Sequence, residues 1–253
     1  MATVVVVGDV GGCAAELVAA LAGVVDDPET VVVQVGDLVD RGPDSAGVLA
    51  YVRDRLATAP ERWIQLVGNH EAQHLTGDLF WPLPIADVDA DLIRTWWAQE
   101  RLRVAAAIHT ADGEELLVTH AGLSVEAWER LGAPVTAATA AGLLNTRPEP
   151  LIWDYRGPLW ATAGAEVYPS WLDSHTPMPF GQVHGHSSVV RFDQRTWVCG
   201  ERVRERTTVD WAARHTVTRG SGGRFIGVDP KHGRTGAPAW RPLVLPGASV
   251  TLG

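Results

Sequence analysis

The sequence predicts an α/β fold built on buried parallel strands, and two observations carry that prediction. Three short runs at residues 3–7, 31–35 and 63–67 are apolar without alternation, as strands covered on both faces are, and helical stretches separate them. Each run also ends in glycine followed by a carboxylate or an amide: Gly8-Asp9, Gly36-Asp37 and Gly68-Asn69. Ligands of open α/β sheets bind beyond the carboxyl ends of the strands, so Asp9, Asp37 and Asn69 are expected on one edge.

The elements follow in order. A helix is expected over about 13–24, with Leu17, Val18 and Leu21 on one face. A second runs over about 44–56, entered through Gly42-Pro43, with Asp44 as its cap. Residues 79–101 read as a Trp-rich insertion with a short helix, carrying Trp81, Pro82, Pro84, Trp96 and Trp97. Those rings either pack over the sheet, the commoner use, or line a pocket where a nucleobase stacks. Strands at 104–108 and 116–119 flank a turn at Asp112-Gly113, and His120-Ala121-Gly122 closes the second. Helices are expected over 125–131 and 137–144. From about residue 181 the pattern is all strand, at 181–183, 189–192, 197–198, 225–228 and 240–245. The charged, Gly-rich stretch 201–223 reads as a loop. No repeat, low-complexity tract or interdomain linker interrupts the chain, so residues 1–253 are expected to form a single domain.

Composition narrows the function. The chain has 253 residues, of which 46% are hydrophobic and 20% charged, enough for a sizeable core. Thirty acidic residues against 21 basic ones give a net charge of −9, which argues against a nucleic acid duplex or an anionic membrane surface as partner. No apolar run approaches the ~18 residues of a membrane span, and no secretory signal is evident at the N-terminus. Cys13 and Cys199 are too few for a disulfide framework. The expectation is a cytoplasmic protein, of unknown oligomeric state. His109, His175, His215 and His232 show no ligand spacing and are expected on the surface or in loops.

Five short segments carry chemistry: Gly8-Asp9-Val10-Gly11-Gly12, Gly36 to Gly42, Gly68-Asn69-His70-Glu71, Thr119-His120-Ala121-Gly122 and Gly185-His186-Ser187. Each sets a hard oxygen or an imidazole beside a glycine, which permits a tight turn and close approach of an anion. Carboxylate, amide and neutral imidazole together suit Mn, Fe, Zn or similar divalent metals. A two-metal centre can clamp a phosphoryl group and lower the pKa of bound water.

These blocks resemble the calcineurin-like metallophosphoesterases, most closely the phosphoprotein phosphatase and diadenosine tetraphosphatase branch, whose pattern is GDxHG, GDxVDRG, GNHE, THAG and GH. Four of the five match in order. The resemblance covers about 4–189, and Phe225 to Asp229 is similar to the family's closing strand. It implies a four-layer α/β/β/α sandwich of two mixed sheets with a dimetal site at the strand ends. It implies that Asp37 bridges two divalent ions, Mn foremost with Fe, Zn or Mg as alternatives, that Asp9 serves the first site, and that Asn69, His120 and His186 complete the second. Asp40 and His70 resemble the dyad that protonates the leaving oxygen, with Glu71 as an orienting residue. Arg41 resembles a phosphate clamp, and Arg156 a second one, in a 151–156 segment carrying one extra residue.

The first block departs from the family, because Gly11 stands where the family has His. The first metal is thereby one ligand short and expected to bind weakly. The purple-acid-phosphatase arrangement, whose first block is GDxG as here, needs a Tyr where this chain has Asp40 and a GHxH block where it has Gly185-His186-Ser187-Ser188. His184 and Cys13 are the candidates to replace the missing ligand. The function implied is hydrolysis of a phosphorylated substrate by metal-bound hydroxide, the substrate being a phosphoprotein, a dinucleoside polyphosphate or a small phosphomonoester. The alternative is a protein of the same fold that has lost catalysis and binds a phosphorylated ligand or partner.

Overall fold

A computed structural model describes residues 2–231 and 239–253; His232 lies outside them. The first third follows the strand–helix grammar. β1 (Thr3–Val7), α1 (Ala14–Leu21), β2 (Thr30–Gln34), α2 (Ser45–Thr58) and β3 (Trp63–Leu66) form successive crossovers. The three strands are parallel, with Val5 beside Val32 and Val33 beside Ile64. Asp44 caps α2, its carboxylate accepting the Gly47 N–H at 2.8 Å.

A helix that periodicity does not predict follows at once: α3 (Asn69–Thr76), in which Asn69, His70, Glu71, Gln73 and His74 are all buried. Their polarity hides the apolar stripe by which amphipathic helices are recognised. α4 (Asp87–Ala98) is the helix of the Trp-rich stretch and buries Ile93 and Trp96. β4 (Leu102–Arg103) then pairs with β3.

The second half builds another sheet. β5 (Ala105–His109) and β6 (Glu115–Thr119) form the expected hairpin. α5 (Val125–Arg130), α6 (Ala137–Asn145) and α7 (Tyr168–Asp173) cover it, and Ala163–Val167 form a π-helical turn that leads into α7. Then come β7 (Gly181–His184), the short hairpin β8 (Val190–Arg191) and β9 (Thr196–Trp197), α8 (Glu201–Arg204), β10 (Thr207–Asp210), β11 (His215–Arg219), β12 (Arg224–Gly227), β13 (Leu243–Pro246) and β14 (Ser249–Thr251). The stretch 201–223 is therefore not a loop, and the part beyond 181 is not all strand, since α8 interrupts it. β11 is filled by Thr216 and Thr218, both buried, and Thr218 shares a 2.7 Å hydroxyl contact with Thr207. Buried threonines carry no hydrophobic signal, and glycines after β11 add to the loop-like composition. His215, expected at the surface, is buried in the same strand.

One sheet has the order β13-β1-β2-β3-β4 and the other β10-β11-β12-β7-β6-β5-β14. Both are mixed, since β13 runs antiparallel to β1, and β12, β7 and β6 are parallel between antiparallel flanks. The period of two in a strand sorts the valines. Val4, Val6, Val33 and Val35 turn inward to meet Ile108, Val118, Val183 and Ile226 of the facing sheet. Val5, Val7 and Val32 turn outward into the apolar cluster that holds Leu17, Leu21 and Val48 of α1 and α2. On the far side α6 packs on β5 and β6. The result is four layers, helices outside and two sheets within. Among the described residues no helix is long and apolar enough to cross a membrane.

Candidate metal centre

The strand ends of both sheets meet at one place. β1 delivers Asp9, β2 delivers Asp37, and β3 runs into Asn69 at the start of α3. From the other sheet β6 delivers His120 and β7 delivers His186. Close approach of backbone to backbone makes this convergence depend on glycine. Gly36 has φ +105°, and a Cβ there would lie 2.4 Å from the Gly68 nitrogen.

The side chains then point at one another. His120 Nδ1 lies 3.0 Å from the Val35 carbonyl, a contact that requires an N–H on Nδ1 and leaves Nε2 as the lone-pair nitrogen. That Nε2 lies 3.0 Å from Asn69 Oδ1 and 3.3 Å from Asp37 Oδ1, while His186 Nδ1 lies 2.9 Å from the same Asn69 oxygen. Ligand atoms of Asp9, Asp37 and His120 all fall within 4.8 Å of each other. Asp9 Oδ2 and Asp37 Oδ2 are buried with no hydrogen-bond partner. Lone pairs facing lone pairs, and buried carboxylate oxygens without donors, are the marks of a site built for a cation, and the nitrogen and oxygen donors suit Mn, Fe or Zn.

The charges respond accordingly. Burial and the neighbouring carboxylates of Asp229 and Asp37 raise Asp9 well above the usual range. Burial alone would raise Asp37 too, but His120, His70 and Arg41 pull it well below. Burial, then His120, depresses His186 to about 3, so the ring is a neutral donor.

Beside this cluster stands the expected pair. His70 Nδ1 lies 2.6 Å from Asp40 Oδ2, and its Nε2 faces the cluster, 3.8 Å from Asp37 Oδ2. Burial opposes a charge on the ring, yet Asp37 and the Asp40 hydrogen bond outweigh it and raise its pKa. Arg41 lies 3.3 Å from Asp37 Oδ2 and 3.7 Å from Asp9 Oδ2. Asp37, Asp40 and Arg41 all have left-handed φ (57°, 70° and 60°), a concentration of strained backbone typical of sites. Glu71 orients the loop, its carboxylate accepting the N–H groups of Asp37, Leu38 and Gly68 at 2.8–2.9 Å.

Arg156 is not brought to this cluster. Its side chain is 69% exposed, with Glu126 at 3.9 Å. The extra residue of the segment is accommodated in a turn where Asp154 accepts the Arg156 N–H, which directs the side chain outward. His184 and Cys13 do not reach in either. His184 is held by the Tyr168 hydroxyl at 2.7 Å and the Gly185 carbonyl at 2.9 Å. Cys13 has its sulfur 3.6 Å from the Gly11 carbonyl, and burial pushes the thiol up to about 11. Sequence reasoning missed Gln73, whose amide nitrogen donates to Asp40 at 2.7 Å and whose oxygen accepts the N–H groups of Phe80 and Trp81. It noted Asp229 only as the end of a segment similar to the family's closing strand and gave neither it nor Lys231 a role, although Asp229 follows its strand as Asp9 and Asp37 follow theirs.

The family model for calcineurin-like phosphoesterases matches residues 2–211. The chain belongs to the calcineurin-like phosphoesterases. Among curated relatives, a symmetrical bis(5'-nucleosyl)-tetraphosphatase of Pectobacterium carotovorum subsp. carotovorum is 34% identical over 58% of this chain and 53% of its own length. The protein of the same name from Yersinia pestis is 33% identical over 58% of this chain and 51% of its own. The phosphoesterase chain thus spans about half the length of these relatives. A solved cold-active protein-tyrosine phosphatase of a psychrophilic Shewanella species shares the fold, with a TM-score of 0.55 over 96% of this chain and 75% of that one, at 17% identity.

Proposed function

We propose that this phosphoesterase hydrolyses phosphoesters at the strand-end centre, and that its substrate is a dinucleoside polyphosphate. The observation that carries the reading is the convergence of unprotonated donors from Asp37, Asn69 and His120 beside an aligned Asp40–His70 pair. Asp37, Asn69, His120 and His186, with Asp9 beside them, would hold divalent metal, Mn, Fe or Zn. Bound there, a dication supplies Lewis acidity toward the phosphate and lowers the pKa of water. Arg41 orients phosphate oxygens, which its planar guanidinium matches. His70, its pKa raised by Asp37 and the Asp40 hydrogen bond, would serve as the acid for the departing oxygen through Nε2, beside which Arg41 lies at 3.0 Å. A protein that only binds phosphate has no use for such a pair. Both cysteines are free thiols, in keeping with a reducing, cytoplasmic setting.

Two features favour the dinucleoside polyphosphate over a phosphoprotein or a small monoester. The relatives at 33–34% identity carry that activity in their names. A cavity of about 280 Å³ also opens against Asp40 and Arg41, walled by Trp81, Leu83, Pro84 and Ile85, where a base can lie on an indole face.

The test is Asp37→Asn, assayed for bound Mn and for turnover. Both should fall together by more than about tenfold, since even partners of ligands are worth ~10–100-fold. Retention of more than a tenth of wild-type turnover would remove Asp37 from the centre. The wild type should prefer diadenosine tetraphosphate to nitrophenyl phosphate in kcat/KM by at least about tenfold, as base stacking contributes ~1–3 kcal/mol. The reverse preference would sink the substrate assignment and leave the metal centre standing.

A further inference from the structure

Two charged residues at the centre, Asp229 and Lys231, take no part in the chemistry of Asp37, Asn69, His120 and the Asp40–His70 pair. The chain leaving β12 passes under β1 so closely that a Cβ on Gly8 would lie 1.9 Å from the Val228 carbonyl oxygen. Asp229 follows, fully buried, and its charge bears on Asp9. Lys231 folds back over it. The ammonium lies 2.9 Å from Asp229 Oδ2 and donates to the His186 carbonyl at 3.1 Å, while the Lys231 N–H donates to Asp229 Oδ1 at 2.8 Å. Lys231 takes up a left-handed φ of +56°, a conformation open to glycine at no cost and rare for a long side chain.

The donors available to a first metal do not fit one. Gly11 has no side chain, and His184 and Cys13 are engaged elsewhere. Asp9 Oδ1 already accepts the His186 N–H at 2.9 Å. Asp9 Oδ2 and Asp37 Oδ2 face the Arg41 guanidinium. Around Asp9 the protein thus supplies its own cations, with Lys231 on the Asp229 side and Arg41 on the other. Setting the Asp40–His70 pair aside, three carboxylates meet two side-chain cations. One dication then leaves the centre with a single positive charge, suited to an incoming phosphate. A second dication would have to settle against both an ammonium and a guanidinium.

We propose that Lys231, together with Arg41, stands in for the first divalent ion. The chain then holds one tight metal, on Asp37, Asn69, His120 and His186, and the Lys231 ammonium supplies the charge that a first metal would present to the phosphate. A compact ammonium is a competent phosphate partner as a point charge. The inference rests on the metal-binding part of the function proposed above and is independent of the substrate.

The experiment is calorimetric titration with Mn²⁺, backed by elemental analysis, on the wild type, Lys231→Met and Lys231→Arg. The wild type should bind one ion per chain. Lys231→Met, which frees Asp229 Oδ2 and removes a repelling charge, should bind two. Lys231→Arg should remain at one. Two ions of similar affinity in the wild type would overturn the proposal without any variant, and so would a Lys231→Met protein that still binds one. A wild type that binds none would overturn the metal reading itself, and the inference with it.

Discussion

His70 shows how one side chain is committed to a task by four neighbours. Asp40 holds Nδ1 at 2.6 Å, Gln73 bonds the same Asp40 oxygen, and the rings of Phe80 and Trp81 meet the imidazole edge-on at 5.0 and 5.2 Å. His70→Ala should lower turnover by ~10²–10⁴-fold, the usual worth of general acid catalysis, with Mn content nearly unchanged. The loss should shrink for nitrophenyl esters, whose leaving group needs no proton. Equal losses for nitrophenyl and alkyl phosphoesters would contradict the acid role. At this scale the sequence is unusually readable. Asp9, Asp37, Asn69, His120 and His186 each adjoin or closely precede a glycine at a strand end, so motif and geometry coincide. Arg156 misleads because an inserted residue removes the register that the motif needs. Gln73 is silent because its role exists only once α3 has wound it back over Asp40.

The strand ends owe their convergence to Gly36 and Gly68 lying backbone against backbone. Gly36→Ala should therefore destabilise the protein by more than the ~1–3 kcal/mol of left-handed strain alone, because the new methyl meets the Gly68 nitrogen. Gly77→Ala is the internal control, with φ +85° and nothing within 4 Å of the added Cβ. Urea denaturation of both variants decides the matter, and equal losses would show that the close approach carries no energy. The same elements mark where sequence reading ends. β1, β2, β3 and the β5–β6 hairpin announce themselves because burial demands apolar side chains. α3 buries amide, imidazole and carboxylate, and β11 buries hydroxyls. Both are stabilised by partners that no hydrophobic periodicity records.

At the scale of the whole molecule the layering follows from the valine runs, whose alternate members serve an inner and an outer core. The junction of the two cores with the centre is invisible in the sequence, since it depends on how the sheets face each other. Their facing also has a mechanical consequence. The donors on the β1–β2–β3 side and those on the β6–β7 side belong to plates joined by aliphatic packing and, at this edge, by hydrogen bonds such as those of His120 to the Val35 carbonyl and of the His186 N–H to Asp9. An ion shared by Asp37, Asn69, His120 and His186 is a rivet through both plates, and shear between them would have to break its bonds. Its grip should appear as heat resistance. By mass action, Mn at a hundredfold excess over its Kd adds about 2.7 kcal/mol to the folded state. That should raise the melting temperature by about 5–10 °C for a chain of this size. Chelation should reverse the gain, and Asn69→Ala, which draws one pin from the rivet, should diminish it. A melting temperature indifferent to both Mn and chelator would mean that the plates are held by their own packing and hydrogen bonds without the ion.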